Sequence, residues 1–330
     1  KNTIMKKVLL AIAAVATITS CSQNEEFENL GQKAEIKMGT TAVTRATVMT
    51  TSKFLNFKAF GYYFTEGSYT AEVKGTKILD GIFNSVDQTT WTEKSGEKFY
   101  WPSDGKVTFF GYSPSELPES NSYSYSEAGG YPTVSYTVNN TIADQVDFLV
   151  AQLANQTKDS NAGKVSLSFK HALTQIVFKL KGDDKNVTYK VTNIAFNNLK
   201  TTGSYDYKTN SWTPSSTPAF SYSITLTENN SFVGGDDAAK TLEDANQLMI
   251  LMPQELSDVT VDVTFSAEKN GVEIFPSGVK TATLSGTWFA GDKYVYTLVL
   301  KAGDEIVVSG EFEDNWTPKT GDANVENDKK

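Results

Sequence analysis

The sequence has little of the chemistry on which most enzymes depend. Its 330 residues include one cysteine, Cys21, and one histidine, His171. One cysteine cannot form an internal disulfide, and one imidazole cannot build the nucleophile or metal sites that need a second histidine or a thiol. We therefore expect no catalytic residue, no metal site and no cofactor, and we interpret His171 as a hydrogen-bonded packing residue.

Positive charge is also scarce. Lysine and arginine together number 30 against 39 aspartates and glutamates, which gives a net charge of -9, and only one of the 30 is an arginine, Arg45. Phosphate backbones and anionic surfaces repel a chain of this charge. The composition therefore indicates that nucleic acid is not a partner.

The apolar run near the N-terminus is too short to span a bilayer. It covers residues 8–18 and follows two lysines, whereas a spanning helix needs about 20 residues. This arrangement is typical of a secretory signal peptide. The run ends in Thr-Ser-Cys at Cys21, which resembles the bacterial lipobox, whose cysteine receives a diacylglyceryl group before cleavage.

The lipobox predicts a lipoprotein. We expect residues 1–20 to be the signal peptide and Cys21 to become the acylated first residue, which holds an extracytoplasmic protein at the outer membrane through its lipid anchor. Each buried methylene contributes about 0.8 kcal/mol, so several acyl chains anchor the protein without a transmembrane helix. The alternative is a buried amphipathic helix with a free thiol.

Beyond residue 30 the apolar residues recur with period two. Four examples are Val165-Leu167-Phe169, Val187-Tyr189-Val191, Val259-Val261-Val263-Phe265 and Tyr294-Tyr296-Leu298-Leu300. Such alternation indicates half-buried strands, and turn residues separate them. Residues 236–247 are the only fair helix candidate. The pattern predicts an all-β protein with antiparallel sandwiches.

The length suits two domains. We expect a tether and a removable N-terminal strand over residues 21–45, an N-terminal β-sandwich over residues 46–160 and a C-terminal β-sandwich over residues 161–330. The polar stretch at residues 156–163 favours this boundary, and residues 181–186 are the alternative.

Arg45 lies in a stretch of small and polar residues, directly before Ala46. An Arg-specific protease has one possible cut in this chain, and such junctions are where proteolysis of folded proteins concentrates. The alternative is a chance occurrence in a composition biased towards lysine.

Several segments, taken in order, resemble those of the fimbrillins, the subunits of type V pili in Bacteroidetes. No single segment is specific, but their order and spacing together are. They are Cys21 in its lipobox, Thr44-Arg45-Ala46, Phe99-Tyr100-Trp101-Pro102, residues 107–114, Asp147-Phe148-Leu149-Val150-Ala151, residues 169–173, Leu251-Met252-Pro253-Gln254, residues 288–296 and Asp314-Asn315-Trp316.

The resemblance implies two β-sandwich domains with transthyretin-like topology and assembly by strand addition. In this family the precursor travels as a lipoprotein, and an Arg-specific protease cuts at the position that matches Arg45 and Ala46. Loss of the first strand then opens a groove for a strand of another fimbrial subunit. On this sequence the removable strand would lie within residues 35–43, with Ile36 and Met38 on one face.

A candidate donor strand lies near the C-terminus. Ile306, Val308 and Phe312 alternate on one face of residues 306–312. Pairing within its own domain is the default for a last strand and is weighted above donation. The following residues are polar, unlike the C-terminal appendage of stalk subunits, so stalk, tip and accessory roles all stay open.

The second functional hypothesis is a surface lipoprotein that does not polymerise and binds host or dietary glycans. Its platform would use exposed aromatic side chains. The alternative for the same side chains is sandwich core and cross-strand pairing. The candidates are Tyr123, Tyr125, Tyr131, Tyr136, Trp91 and Trp101.

Overall fold

A computed structural model describes residues 34–41, 54–119, 121–125, 130–215, 219–226, 231–235, 240–242, 249–302 and 306–313. These residues form strands, two short 3-10 helices at Ile142–Asp144 and Ser160–Gly163, and connecting turns. The prediction of an all-β protein is confirmed. Within the helix candidate at residues 236–247, the described part forms a strand, Lys240–Leu242.

The strands, in chain order, are β1 Lys37–Thr41, β2 Asn56–Phe64, β3 Thr76–Asn84, β4 Thr92–Glu93, β5 Lys106–Ser113, β6 Ser122–Ser124, β7 Thr133–Thr137, β8 Leu149–Gln156, β9 Lys164–Ser168, β10 Lys170–His171, β11 Thr174–Gly182, β12 Val187–Lys200, β13 Thr202–Asp206, β14 Ser211–Pro214, β15 Ala219–Thr225, β16 Ser231–Val233, β17 Lys240–Leu242, β18 Met249–Leu251, β19 Thr260–Lys269, β20 Val272–Thr283, β21 Lys293–Leu300 and β22 Val307–Glu313.

A six-stranded sheet in the order β10-β8-β5-β2-β3-β4 is the middle layer of the N-terminal half. Successive side chains of a strand point to opposite faces, so each strand of this sheet contributes to two cores. Phe57, Ala59 and Phe109 face the two-stranded sheet β1-β9. Phe60 and Phe110 face the four-stranded sheet β14-β13-β7-β6. This half of the molecule therefore has three layers.

Strand β5 shows the effect of this layering on sequence. Every residue from Val107 to Ser113 is buried. A strand covered on both faces reads as a continuous apolar run, because neither face meets water. The segment accordingly lacks the alternation that identifies half-buried strands.

The C-terminal half is a two-layer sandwich. One sheet has the order β17-β11-β21-β22, with β18 also paired to β11, and the other has the order β15-β12-β19-β20, with β16 paired to β12. Ile176 and Phe178 from the first sheet and Val261, Val263 and Phe265 from the second belong to one buried cluster.

Two strand pairs are parallel, which period-two alternation alone does not predict. Strand β1 pairs with β9 and strand β11 pairs with β21 in parallel, while the other described pairs between strands are antiparallel. The transthyretin-like strand order stays a prediction.

Strand pairs link the chain on both sides of residue 160. Strand β9 pairs with β1, β10 pairs with β8, and the β13-β14 hairpin pairs through β13 with β7. The long strand β12 belongs to the C-terminal sandwich and leads through Thr201 directly into β13. The division into residues 46–160 and 161–330 stays a prediction. The pairings of β9, β10 and β13 cross the boundary of that division.

Candidate functional site

Backbone hydrogen bonds hold β1 to strand β9 and hold residues 34–36, just before β1, to residues 99–101. Its register with β9 places Met38 beside Val165 and Thr40 beside Leu167. Just upstream, the Ile36 N–H donates to the Phe99 carbonyl oxygen at 2.8 Å, and the Trp101 N–H donates to the Ala34 carbonyl oxygen at 2.8 Å. Residues 34–41 therefore contact two walls: residues 99–101 beside residues 34–36, and β9 beside β1.

The side chains of this segment alternate between core and solvent. Ile36 is 4% exposed and Met38 is 5% exposed, whereas Lys37 and Thr41 are exposed. Both buried side chains belong to the cluster that fills the space below the six-stranded sheet. Burying two such side chains contributes about 1.5–3 kcal/mol each.

Strand β9 depends on β1 for its hydrogen-bonded pairing. Among the described strands, β9 pairs with β1 and with no other. Val165 and Leu167 from β9 are almost fully buried in the same cluster as Met38. Removal of residues 34–41 would therefore expose an unpaired strand edge, the backbone groups of Phe99 and Trp101, and the apolar floor below them.

The predicted modification sites lie outside the described residues. This applies to Cys21 and to Arg45 and Ala46. Thr41 ends β1 and the described chain resumes at Phe54, so the predicted cut falls four residues after β1. Lipidation of Cys21 and cleavage after Arg45 stay predictions.

The candidate donor segment is paired with its own chain. Strand β22 is antiparallel to β21 and lies at the edge of its sheet. Ile306, just before it, is 7% exposed, and the register places Val308 beside Leu298 and Phe312 beside Tyr294. An edge position means that the strand separates without breaking another described pair. Donation by Ile306, Val308 and Phe312 stays a prediction.

His171 lies in β10, where its side chain is buried. Its Nδ1 atom is 2.5 Å from Oδ2 of Asp147, and both side chains are almost fully shielded from solvent. Burial raises the pKa of the Asp147 carboxyl, and the imidazole opposes that rise. His171 was predicted to be a packing residue, but its partner Asp147 was not predicted.

The aromatic candidates divide into two groups. Trp91, Trp101 and Tyr136 are buried in the cores, as the packing interpretation holds. Tyr123, Tyr125 and Tyr131 are half-buried; Tyr123 and Tyr125 stack on Phe60 and Tyr62, and Tyr131 lies edge-on to Phe110. Phe60 and Tyr62 were not predicted as partners, although their positions two residues apart in β2 put them on one face.

Within the described ranges, no group of three or more His, Cys, Asp or Glu side chains is arranged to hold a metal ion. A helix of the length and apolar content that a membrane crossing requires is also not found in that part of the chain.

Comparison with known protein families identifies a family that matches most of this chain. The model of a family described as fimbrillin-like matches residues 44–316. The chain belongs to the fimbrillin-like family. The matched region begins at residue 44, three residues after Thr41, where β1 ends.

Individual relatives of this fimbrillin-like chain are fimbrial proteins. It is 33% identical to the fimbrium subunit Fim1C of Phocaeicola vulgatus over 54% of its own length and 52% of that protein, so the match spans about half of that relative. A second curated relative, from Bacteroides uniformis, is 25% identical over 96% of this chain and 97% of that protein.

A solved structure has a similar fold. The crystal structure of a fimbrial protein from Bacteroides vulgatus superposes with a TM-score of 0.70 at 20% identity, over 86% of this chain and 99% of that one. At this identity the likeness concerns the fold. The predicted membership of the fimbrillin family is confirmed, and this is a family of fimbrial structural proteins, not a family of enzymes.

Proposed function

We propose that this chain is a structural subunit of a cell-surface fimbria that accepts the strand of another subunit in place of β1. In this proposal it is exported as a lipoprotein with the acyl chains on Cys21 in the outer membrane. An Arg-specific protease cuts between Arg45 and Ala46. The incoming strand then occupies the space between β9 and residues 99–101.

The position of β1 is the observation that carries the proposal. Strand β1, which contains Met38 and directly follows Ile36, is the first described strand of the chain, and it lies before Arg45 in the sequence. Its main partner strand pairs with no other described strand. One cut after Arg45 would sever the covalent link between this segment and all the other described strands.

Filling the groove left by β1 with a strand of another subunit is energetically favourable compared with leaving it empty. A bare edge leaves polar backbone groups unpaired at the rim of an apolar trough, and an added strand satisfies them. Two to four donor side chains at about 1.5–3 kcal/mol each, with ladder hydrogen bonds at about 1 kcal/mol net, sum to about 10 kcal/mol before association costs. This is enough for a durable fibre.

The test is controlled cleavage of the purified precursor. We expect an Arg-specific protease to produce a fragment that begins at Ala46, and this fragment to form oligomers that resist SDS. Arg45→Lys is the matched control, because it keeps the positive charge and removes the protease site. An uncut Arg45 in the folded chain would overturn the proposal, and a cut chain that stays monomeric would overturn donation of β22 between copies of this chain.

Membership of the fimbrillin-like family favours this role over that of a surface lipoprotein that never polymerises. The position in the fibre, at the stalk, at the tip or as an accessory subunit, is open in the proposal. The edge position of β22 leaves donation of its strand possible.

A further inference from the structure

A cavity of about 400 Å³ opens beside β6, the edge strand of the four-stranded sheet. We propose that this cavity binds an anionic saccharide. Its volume falls in the range of about 300–1,000 Å³ that is usual for small-molecule sites. Six side chains carry the argument, and they are Phe60, Tyr62, Lys74, Lys77, Tyr123 and Tyr125.

Two stacked aromatic pairs form the apolar part of the cavity. The rings of Phe60 and Tyr123 lie 3.9 Å apart between centroids at 7°, and those of Tyr62 and Tyr125 lie 3.8 Å apart at 22°. Each pair joins the six-stranded sheet to β6 or to the residue that follows it. The rings are therefore fixed by packing.

The main chain holds the second pair in place. The phenol oxygen of Tyr125 accepts a hydrogen bond from the Gly75 N–H at 3.3 Å and lies 3.2 Å from the phenol oxygen of Tyr69. Gly75 approaches so closely that an added Cβ would lie 2.9 Å from the Cβ of Tyr62. A side chain at position 75 would displace the aromatic rings, so the glycine preserves the shape of the cavity.

The phenols supply hydrogen-bonding groups for hydroxyls. Burial raises the pKa of Tyr62 to about 12 and raises that of Tyr123 well above its ordinary value. Both phenols therefore keep their protons at neutral pH. The two phenol oxygens lie 3.4 Å apart, so hydroxyl groups of a ligand would meet groups that donate and accept at the same place.

Lysine side chains at the cavity favour an anionic ligand, although the whole chain has a net negative charge. Lys58 and Lys77 both bind Asp80, at 2.5 and 2.6 Å, and their ammonium groups lie 5.4 and 6.0 Å from the Phe60 ring centroid. Lys74 is exposed at the cavity and forms no ion pair with the residues that the structure describes. Lys74 and Lys77 line the cavity, and with Lys58 they place three ammonium groups against the one carboxylate of Asp80.

A sugar acid matches these features together. Phe60 and Tyr62 are buried, so the C–H groups of a pyranose ring would pack against the half-buried Tyr123 and Tyr125. Its hydroxyls would bond to phenols, and its carboxylate would be attracted to lysine. The cavity and β1 contact opposite faces of the six-stranded sheet. Binding here and strand exchange at β1 are therefore separable.

The test compares sialyllactose with lactose on the purified uncleaved chain by titration calorimetry. The two differ by the one sugar acid, so we expect sialyllactose to bind at least about tenfold more tightly. Digalacturonate forms a second arm, because a host glycan and a dietary polysaccharide offer the same carboxylate chemistry. Tighter binding of either acid identifies its source.

Variants locate the site. Lys74→Gln should weaken binding of the acidic sugar about tenfold and leave lactose unchanged. Tyr125→Ala should weaken both, and Lys190→Gln, at an exposed lysine of β12, should change neither. Equal affinity for acidic and neutral sugars, no binding at about 10 mM, or an equal effect of Lys190→Gln would overturn the proposal. The precursor-cleavage test of strand exchange is read separately.

Discussion

The indole N–H of Trp101 donates a hydrogen bond to the carbonyl oxygen of Gly163 at 3.0 Å. Trp101 belongs to one wall beside β1, and Gly163 directly precedes β9, the other wall. The bond therefore links the two walls to each other independently of the strand between them. A groove held in this way would keep its width when β1 is absent.

Trp101→Phe should weaken the fold more than Trp91→Phe. Both substitutions remove the same atoms from the same buried cluster, but the indole N–H of Trp91 has no hydrogen-bond partner among the described residues. We expect a difference of about 1 kcal/mol in the free energy of unfolding, measured with urea. Equal losses would show that the Trp101 bond contributes nothing.

Met38→Ala should destabilise the uncleaved chain, and Lys37→Ala should not. Met38 is buried beside Val165, while its neighbour in the same strand is exposed. We expect a loss of about 2–5 kcal/mol for the first variant and less than about 0.5 kcal/mol for the second, measured by urea unfolding. Similar values for the two would mean that β1 adds little to the fold.

His171→Leu should destabilise the chain at neutral pH and less so in acid. The substitution leaves the buried Asp147 carboxylate without its imidazole partner, at a cost of about 3–5 kcal/mol. Burial already raises the pKa of Asp147 in the folded state. A carboxyl group with a raised pKa favours the folded state most below its ordinary pKa, and this contribution falls as the pH rises through the folded value.

The measurement is urea unfolding of the His171→Leu variant from about pH 4 to pH 7. The penalty should shrink towards the acidic end as Asp147 takes up a proton. Asp147→Asn is the matched control, because its amide oxygen still accepts from Nδ1 and carries no charge to titrate. A penalty that does not change with pH would contradict the prediction.

Three buried phenols should ionise late in an alkaline titration. Burial is the main cause that raises the pKa of Tyr62, Tyr112 and Tyr296 to about 12. Stability from these groups is complete below about pH 10 and is lost as the pH rises through about 12, since the unfolded chain releases the protons first. Phenolate absorbance should show this late phase in the folded chain, and Tyr62→Phe should reduce it. The chain unfolded in denaturant should not show it.

Local sequence patterns predicted which segments form strands better than they predicted which strands pair with each other. The alternation of Val187, Tyr189 and Val191 identified a strand, and β12 contains all three. The same alternation carries no information on which strand lies alongside, so the parallel partner of β1 was not predicted. Met38 and Val165 are distant in sequence, and such pairings depend on the whole packed core.

In the candidate site, too, local residues were predicted but contacts between distant segments were not. Ile36 and Met38 were identified because their spacing is local, and the structure buries both. The Asp147 partner of His171 and the stacking of Tyr123 on Phe60 join segments that no short motif connects. Lys74 and Lys77 were not identified, because exposed lysines are common in this composition and only the cavity distinguishes them.

The four-stranded sheet combines β6 and β7 with β13 and β14, which come much later in the chain. This combination affects the order of folding. Strands β13 and β14, which end at Pro214, complete a layer that covers the N-terminal sheet. A chain made from its N-terminus must therefore reach roughly two thirds of its 330 residues before its first half can close. Until then the aromatic face of β2 and β5 is open to water.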